Sequence, residues 1–165
     1  MKLQLIASAL FATTFLFPAC GKKDNTITPD ENQHSDKAVS AKVDGANFQS
    51  NSVGALANSS AGTFIITAED SNEHSITLTG PTTVGTFDNS VNNNTSGMYI
   101  SKSGEVWMSS LNNGTITLTI TKFDAAAKKM SGRFSFTAAA LSTSGATGNK
   151  TITNGTFTDV AVAIQ

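Results

Sequence analysis

Cysteine is nearly absent from this 165-residue chain, which holds one, Cys20. A lone thiol excludes a disulfide framework and a zinc-cysteine cluster, so stability has to come from an apolar core. Charge is scarce as well: charged residues make up 14% of the chain, and 11 basic against 12 acidic residues leave a formal net charge of −1. That balance excludes the basic footprint of a nucleic-acid binder. Histidine occurs twice, as His34 and His74, and tryptophan and tyrosine once each. Nucleophilic catalysis by one of the many serines would therefore have His74 as its only base in the folded part, and no Gly-x-Ser-x-Gly elbow is present. Proline is limited to 3 residues and helix-period apolar patterning is missing.

What is there begins with an export pattern. Lys2 precedes an apolar run from Leu3 to Ala19, and small Ala19 stands directly before Cys20, the charge, core and cleavage order of a signal peptide. The run falls short of the ~20 apolar residues that a spanning helix needs, and it carries Pro18 near its end. Leu16-Phe17-Pro18-Ala19-Cys20-Gly21 resembles the lipobox of bacterial lipoproteins. That resemblance implies removal of residues 1–19, lipidation of Cys20 and anchorage to a membrane. Each buried methylene contributes about 0.8 kcal/mol, so two or three acyl chains make release negligible. Gly21 after the cysteine resembles the sorting pattern for the outer membrane. Lys22-Lys23-Asp24 occupies the place where Bacteroidota lipoproteins carry a surface-export signal, so both periplasmic and cell-surface faces stay open. Residues 20–37 read as a flexible tether containing Pro29 and His34. A coil of that length reaches about 20 to 25 Å.

Residues 38–165 read as a single all-β domain. Period-two alternation is clearest in Thr115-Ile116-Thr117-Leu118-Thr119-Ile120-Thr121, with threonines on one face and aliphatics on the other. Strands are expected near 38–43, 47–57, 62–69, 74–80, 84–88, 97–101, 104–111, 115–123, 129–140, 150–153 and 156–164. Asp44-Gly45, Asn113-Gly114 and Asn154-Gly155 read as hairpin turns. The recurring glycine, polar, large-apolar triplets, such as Gly132-Arg133-Phe134 and Gly155-Thr156-Phe157, read as turns entering strands. A change of phase near Asp159 suggests a bulge, and Ala125–Lys129 suggests one helical turn inside a hairpin loop. Antiparallel hairpins of this number close as a β-sandwich, which is the expected fold, or as a lipocalin-like up-and-down β-barrel.

The lipobox, the Val43-Asp44-Gly45 hairpin, Met130-Ser131-Gly132-Arg133-Phe134-Ser135-Phe136 and the closing Ile152-Thr153-Asn154-Gly155-Thr156-Phe157 together resemble a family of small, functionally uncharacterised Bacteroidota lipoproteins. The resemblance implies an envelope location and an all-β fold, and brings no catalytic residues with it.

Candidate sites are few. Glu69-Asp70-Ser71-Asn72-Glu73-His74 gathers oxygen ligands and an imidazole, with Asp70, Glu73 and His74 as weak metal candidates. The spacing lacks the central glycine and distal glutamate of a calcium loop, and a solvated hairpin loop explains the residues equally. No cofactor is implied. Trp107 and Tyr99 are the candidate binding residues, because exposed rings of these types recognise sugars and proteins; each equally fits a place in the core. The expectation is a non-enzymatic, outer-membrane-tethered lipoprotein recognising an envelope protein or glycan. The alternative is a carrier of a small apolar ligand, with Phe64, Phe134, Phe136 and Phe157 lining a barrel cavity.

Overall fold

The computed structural model describes residues 37–89 and 94–165. Residues 1–36, including the expected signal segment, Cys20 and His34, lie outside the described residues, as do residues 90–93. Eleven strands follow one another: β1 (Val39–Val43), β2 (Ala46–Asn58), β3 (Thr63–Asp70), β4 (Ser75–Pro81), β5 (Gly85–Asp88), β6 (Ser96–Ile100), β7 (Val106–Met108), β8 (Thr115–Asp124), β9 (Lys129–Ala140), β10 (Asn149–Ala161) and β11 (Ala163–Ile164). Most bounds follow the alternation in the sequence, but the strands expected at 150–153 and 156–164 are one strand, β10, and the one expected at 104–111 shortens to Val106–Met108. In β8 the side chains of Ile116, Leu118 and Ile120 are buried while Thr115, Thr117 and Thr121 face water. A four-residue turn at 125–128 joins β8 to β9, where the alanine-rich helical turn was expected.

The strands close into a barrel, not a sandwich. Hydrogen-bonded neighbours run β10-β1-β2-β3-β4-β6-β7-β9, and β9 then pairs with β10 to complete the ring. All of these pairs are antiparallel. A sandwich would split them into two sheets with free edges. Here β9 and β10, 12 and 13 residues long, are used along both edges, and that leaves no break in the wall. The far edge of β9 is shared: β8 takes Lys129 to Thr137, β7 takes Ala139 and Ala140, and β5 hangs on β8.

Glycine sets how this barrel is filled. Gly80 pairs across strands with Phe64, Gly132 with Phe157 and Gly155 with Phe134. A Cβ on Gly155 would lie 2.5 Å from the Phe134 ring, and one on Gly132 would meet both the Phe157 ring and the Thr119 carbonyl. An eight-stranded barrel is just wide enough for side chains to fill, so each ring needs a neighbour without a side chain. The triplets at Gly132 and Gly155 are therefore positions inside strands and not turns. Asn154-Gly155 is likewise a bulge, with register slipping between Ile152 and Gly155 and Asn154 at φ 53°. The bulge expected at Asp159 is present, with φ 46° and a slip between Phe157 and Val160. Asp44-Gly45 does form a two-residue hairpin, both residues having positive φ. Asn113-Gly114 lies in the turn before β8, but β7 and β8 are joined through β9 and not to each other.

Phe64, Phe134, Phe136 and Phe157 are at most 3% exposed. Their rings pack in sequence: Phe64 to Phe157 at 6.3 Å, Phe157 to Phe134 at 6.4 Å, and Phe134 to Phe136 at 6.3 Å between centroids. The condition for a carrier, closure into a barrel, is met, while these four rings fill space against one another.

Candidate functional site

Because consecutive strands alternate in direction, the β1–β2, β3–β4, β6–β7 and β9–β10 connections meet at one end of the barrel. A cleft of about 370 Å³ opens there, lined among others by Asp44, Asn47, Asp70, Asn72, His74, Tyr99 and Lys150.

Two carboxylates organise its rim. Asp44, the first of the two left-handed residues of its hairpin turn, accepts from Lys150 Nζ and from the Thr151 amide, both at 2.8 Å. The Asp44 amide donates to the Thr151 carbonyl at 2.8 Å, so the turn is tied to β10 from both sides. Burial acts to raise the Asp44 pKa, but the Lys150 and Thr151 bonds outweigh it and hold the carboxyl below its ordinary value. Asp70 is 6% exposed. Its Oδ1 accepts from the amides of Asn72 at 2.8 Å and His74 at 2.9 Å, and its Oδ2 faces His74 Nδ1 at 3.3 Å. Burial again acts upward, and these bonds again hold the carboxyl below the usual range.

Beneath the rim stand three rings. His74 lies 6.0 Å from Tyr99, and Tyr99 lies 5.7 Å from Trp107, its cross-strand partner on β7. Lys150 Nζ closes the column 5.2 Å above the Trp107 ring, a cation–π distance. Trp107 donates from Nε1 to the Thr147 carbonyl at 3.2 Å, which satisfies its only polar atom. Burial raises the Tyr99 pKa, and the negative charges of Asp70, Asp44 and Glu105 push it further up. The phenol is therefore a neutral hydroxyl at physiological pH, able to donate and to accept.

Residues 35–161 match the family described as Domain of unknown function (DUF6252). The chain belongs to this family. Comparison with curated proteins and with solved structures gives no match.

The structure brings together some expected residues of this DUF6252 domain and separates others. Tyr99 and Trp107 are 6% and 5% exposed, so both belong to the core edge and neither offers an open aromatic face. Their burial follows from β6–β7 pairing, which turns both rings inward with Ser109. Asp70 and His74 meet, while Glu73 leaves them and pairs with Lys102 at 3.4 Å. Among the described residues no three histidine, cysteine, aspartate or glutamate side chains converge as a metal site. Two rim residues of this DUF6252 domain, Asp44 and Lys150, escape sequence reading. Asp44 is visible only as a turn former, and nothing in the sequence around Lys150 links it to a partner 106 positions away.

Proposed function

We propose that this DUF6252 domain is a non-catalytic binding module of the cell envelope, held to the outer membrane by acylated Cys20. Its recognition site is the mouth cleft and its partner a protein or glycan. The observation that carries this reading is the cleft itself, built from turns distant in sequence around a charged rim with Tyr99 in its lining. Its volume of about 370 Å³ falls within the range of small-ligand sites, and its lining mixes Val43, Ala46 and Phe48 with the polar side chains of the rim, which suits a polar partner. The Asp70–His74 pair orients an imidazole, but among the described residues no serine or threonine hydroxyl bonds to its other nitrogen. Both carboxylates are engaged by backbone amides, which suits holding loops in place.

Anchorage through a lipid is consistent with the polarity of the wall. Outward positions on β8 and β9 are Thr115, Thr117, Arg133 and Ser135, and the apolar side chains face inward. A lipid-facing barrel has the reverse arrangement. Among the described residues no helix is long and apolar enough to cross a membrane. The direction of β1 supports a membrane-distal cleft, because the chain enters at Lys37, at the end opposite Asp44.

The test is recovery of a partner from envelope extract by the acylated chain, with Asn72→Arg as the cleft-blocking variant. Loss of one defined partner in the variant at unchanged melting temperature supports the reading; equal recovery by both overturns it. Metabolic palmitate labelling that fails in the parent removes the anchor. The carrier reading rests on barrel closure and predicts uptake of a fluorescent fatty acid; uptake would replace the cleft reading.

A further inference from the structure

The outer surface of β8, β9 and β10 carries a trough that neither the core nor the mouth cleft explains. It consists of hollows of about 390, 170 and 400 Å³. The first and second share Thr137, and the second and third share Thr117 and Ser135, so the three adjoin one another along β9. Its floor is the outward face of β9, where Arg133, Ser135, Thr137 and Ala139 follow one another. At ~3.3 Å per residue this floor is about 20 Å long. The walls are threonines held in register: Thr115 and Thr151 flank Thr137, and Thr117 flanks Ser135. Asn112, Asn113 and Asn149 close one end, and Asn154 stands at the other. The β10 bulge leaves Thr153 and Asn154 both exposed, at the cost of a left-handed asparagine.

Hydroxyls and amides donate and accept alike, which is what a chain of sugar hydroxyls presents in return. A peptide would find little here. β9, the floor, is paired on both edges along the trough, so its backbone is not free for strand addition, and the open edge of the sheet at β5 lies outside the lining. The rings of Phe134 and Phe136, whose strand borders the trough, point into the core at 3% exposure and offer no open aromatic face to a peptide anchor. Nucleic acid would need more cations or exposed rings.

Charge narrows the choice. The lining holds Arg133, the chain's only arginine, and no carboxylate. Lys42, in register with Thr153, adds a cation on one flank, while Asp88, in register with Thr117, lies on the other. A guanidinium fork matches a carboxylate with two parallel bonds. We infer that the trough binds an extended acidic glycan strand, its hydroxyls along the threonine rows and a uronate carboxylate on Arg133. This site is independent of the mouth cleft.

The experiment is calorimetric titration of the full chain with hexagalacturonate and with uncharged maltohexaose. Hexagalacturonate binds more tightly. Ser135→Leu, at an exposed strand position, fills the floor and weakens hexagalacturonate binding by at least about tenfold, equivalent to about 1.4 kcal/mol. Thr117→Val, which keeps shape and removes a hydroxyl, weakens it by a smaller factor. Arg133→Gln brings the acidic sugar down to the level of the neutral one. Absence of hexagalacturonate binding, or binding that survives Ser135→Leu, overturns the proposal, and equal affinity for both sugars overturns the carboxylate assignment. Loss in Asn72→Arg with none in Ser135→Leu would place the sugar in the mouth cleft and likewise overturn it.

Discussion

Trp107 and Lys150 touch one another yet belong to different energetic regimes. The indole is 5% exposed, packed on Tyr99 and bonded through its N–H to Thr147. Trp107→Ala removes a large buried ring and leaves the Thr147 carbonyl without a donor, and is expected to cost about 3 to 5 kcal/mol in urea unfolding. Lys150 holds the rim from above, and its ion pair with Asp44 keeps 30% and 44% of the two side chains exposed. Solvent screens such a pair, so Lys150→Ala is expected to cost no more than about 1 kcal/mol. The same change should alter Trp107 emission, because a cation leaves the ring face. A loss near 4 kcal/mol for Lys150→Ala would show that the rim supports the core, contrary to its assignment as a recognition surface. Gly132 makes the complementary point about space. A methyl there meets the Phe157 ring and the Thr119 carbonyl, and Gly132→Ala is expected to lose about 1 to 3 kcal/mol through overpacking. Phe157→Leu in the same chain should recover part of that loss, since the clash with the ring is removed.

At the scale of elements, the β3–β4 turn depends on the ionisation of Asp70. Its carboxyl, buried but bonded by the amides of His74 and Asn72 and by the imidazole, titrates below its ordinary value in the folded protein. A group lowered on folding contributes fully above the unfolded pKa, about 3.9, and its contribution fades as pH falls through the folded value. Parent stability should therefore exceed that of Asp70→Asn at pH 7, with the difference shrinking as pH falls below about 4. A difference independent of pH would mean that the carboxylate's charge has no part in the turn. Elements of this kind were largely legible in the sequence. Alternation in Thr115–Thr121 and in Arg133–Ala138 located β8 and β9, and the polar hexapeptide 69–74 located the turn. Asn154-Gly155 was not legible, because the dipeptide fits a turn and a bulge equally well. What decides is β9, which pairs with β10 on both sides of it. Barrel closure escaped for the same reason: it lies in the second edge of β9 and β10, and alternation along one strand says nothing about its neighbours. The glycine–phenylalanine pairs and the Asp44–Lys150 contact join positions far apart in the chain, so no local pattern announces them.

At the scale of the whole molecule, orientation is a consequence of strand direction. β1 runs from Val39 up to Val43 and delivers the chain to the Asp44 turn at the cleft, so the chain enters at the opposite end. The β2–β3 turn around Ser60 shares the end at which the chain enters, and the β3–β4 turn around Ser71 shares the cleft's. The end at which the chain enters stays nearer the membrane on average when Cys20 is anchored as proposed. With Cys20 acylated no other thiol exists, so Ser60→Cys and Ser71→Cys variants each accept a single fluorophore. Both serines are exposed, and neither substitution disturbs the core. On vesicles containing spin-labelled lipid, the fluorophore at position 60 should be quenched more than the one at position 71. Equal quenching would mean that the barrel lies on its side, and stronger quenching at position 71 would put the cleft against the lipid. Either result would remove the reason to read the cleft as a site for partners approaching from outside. The trough would then be the better placed surface, because it runs along the wall and not at either end.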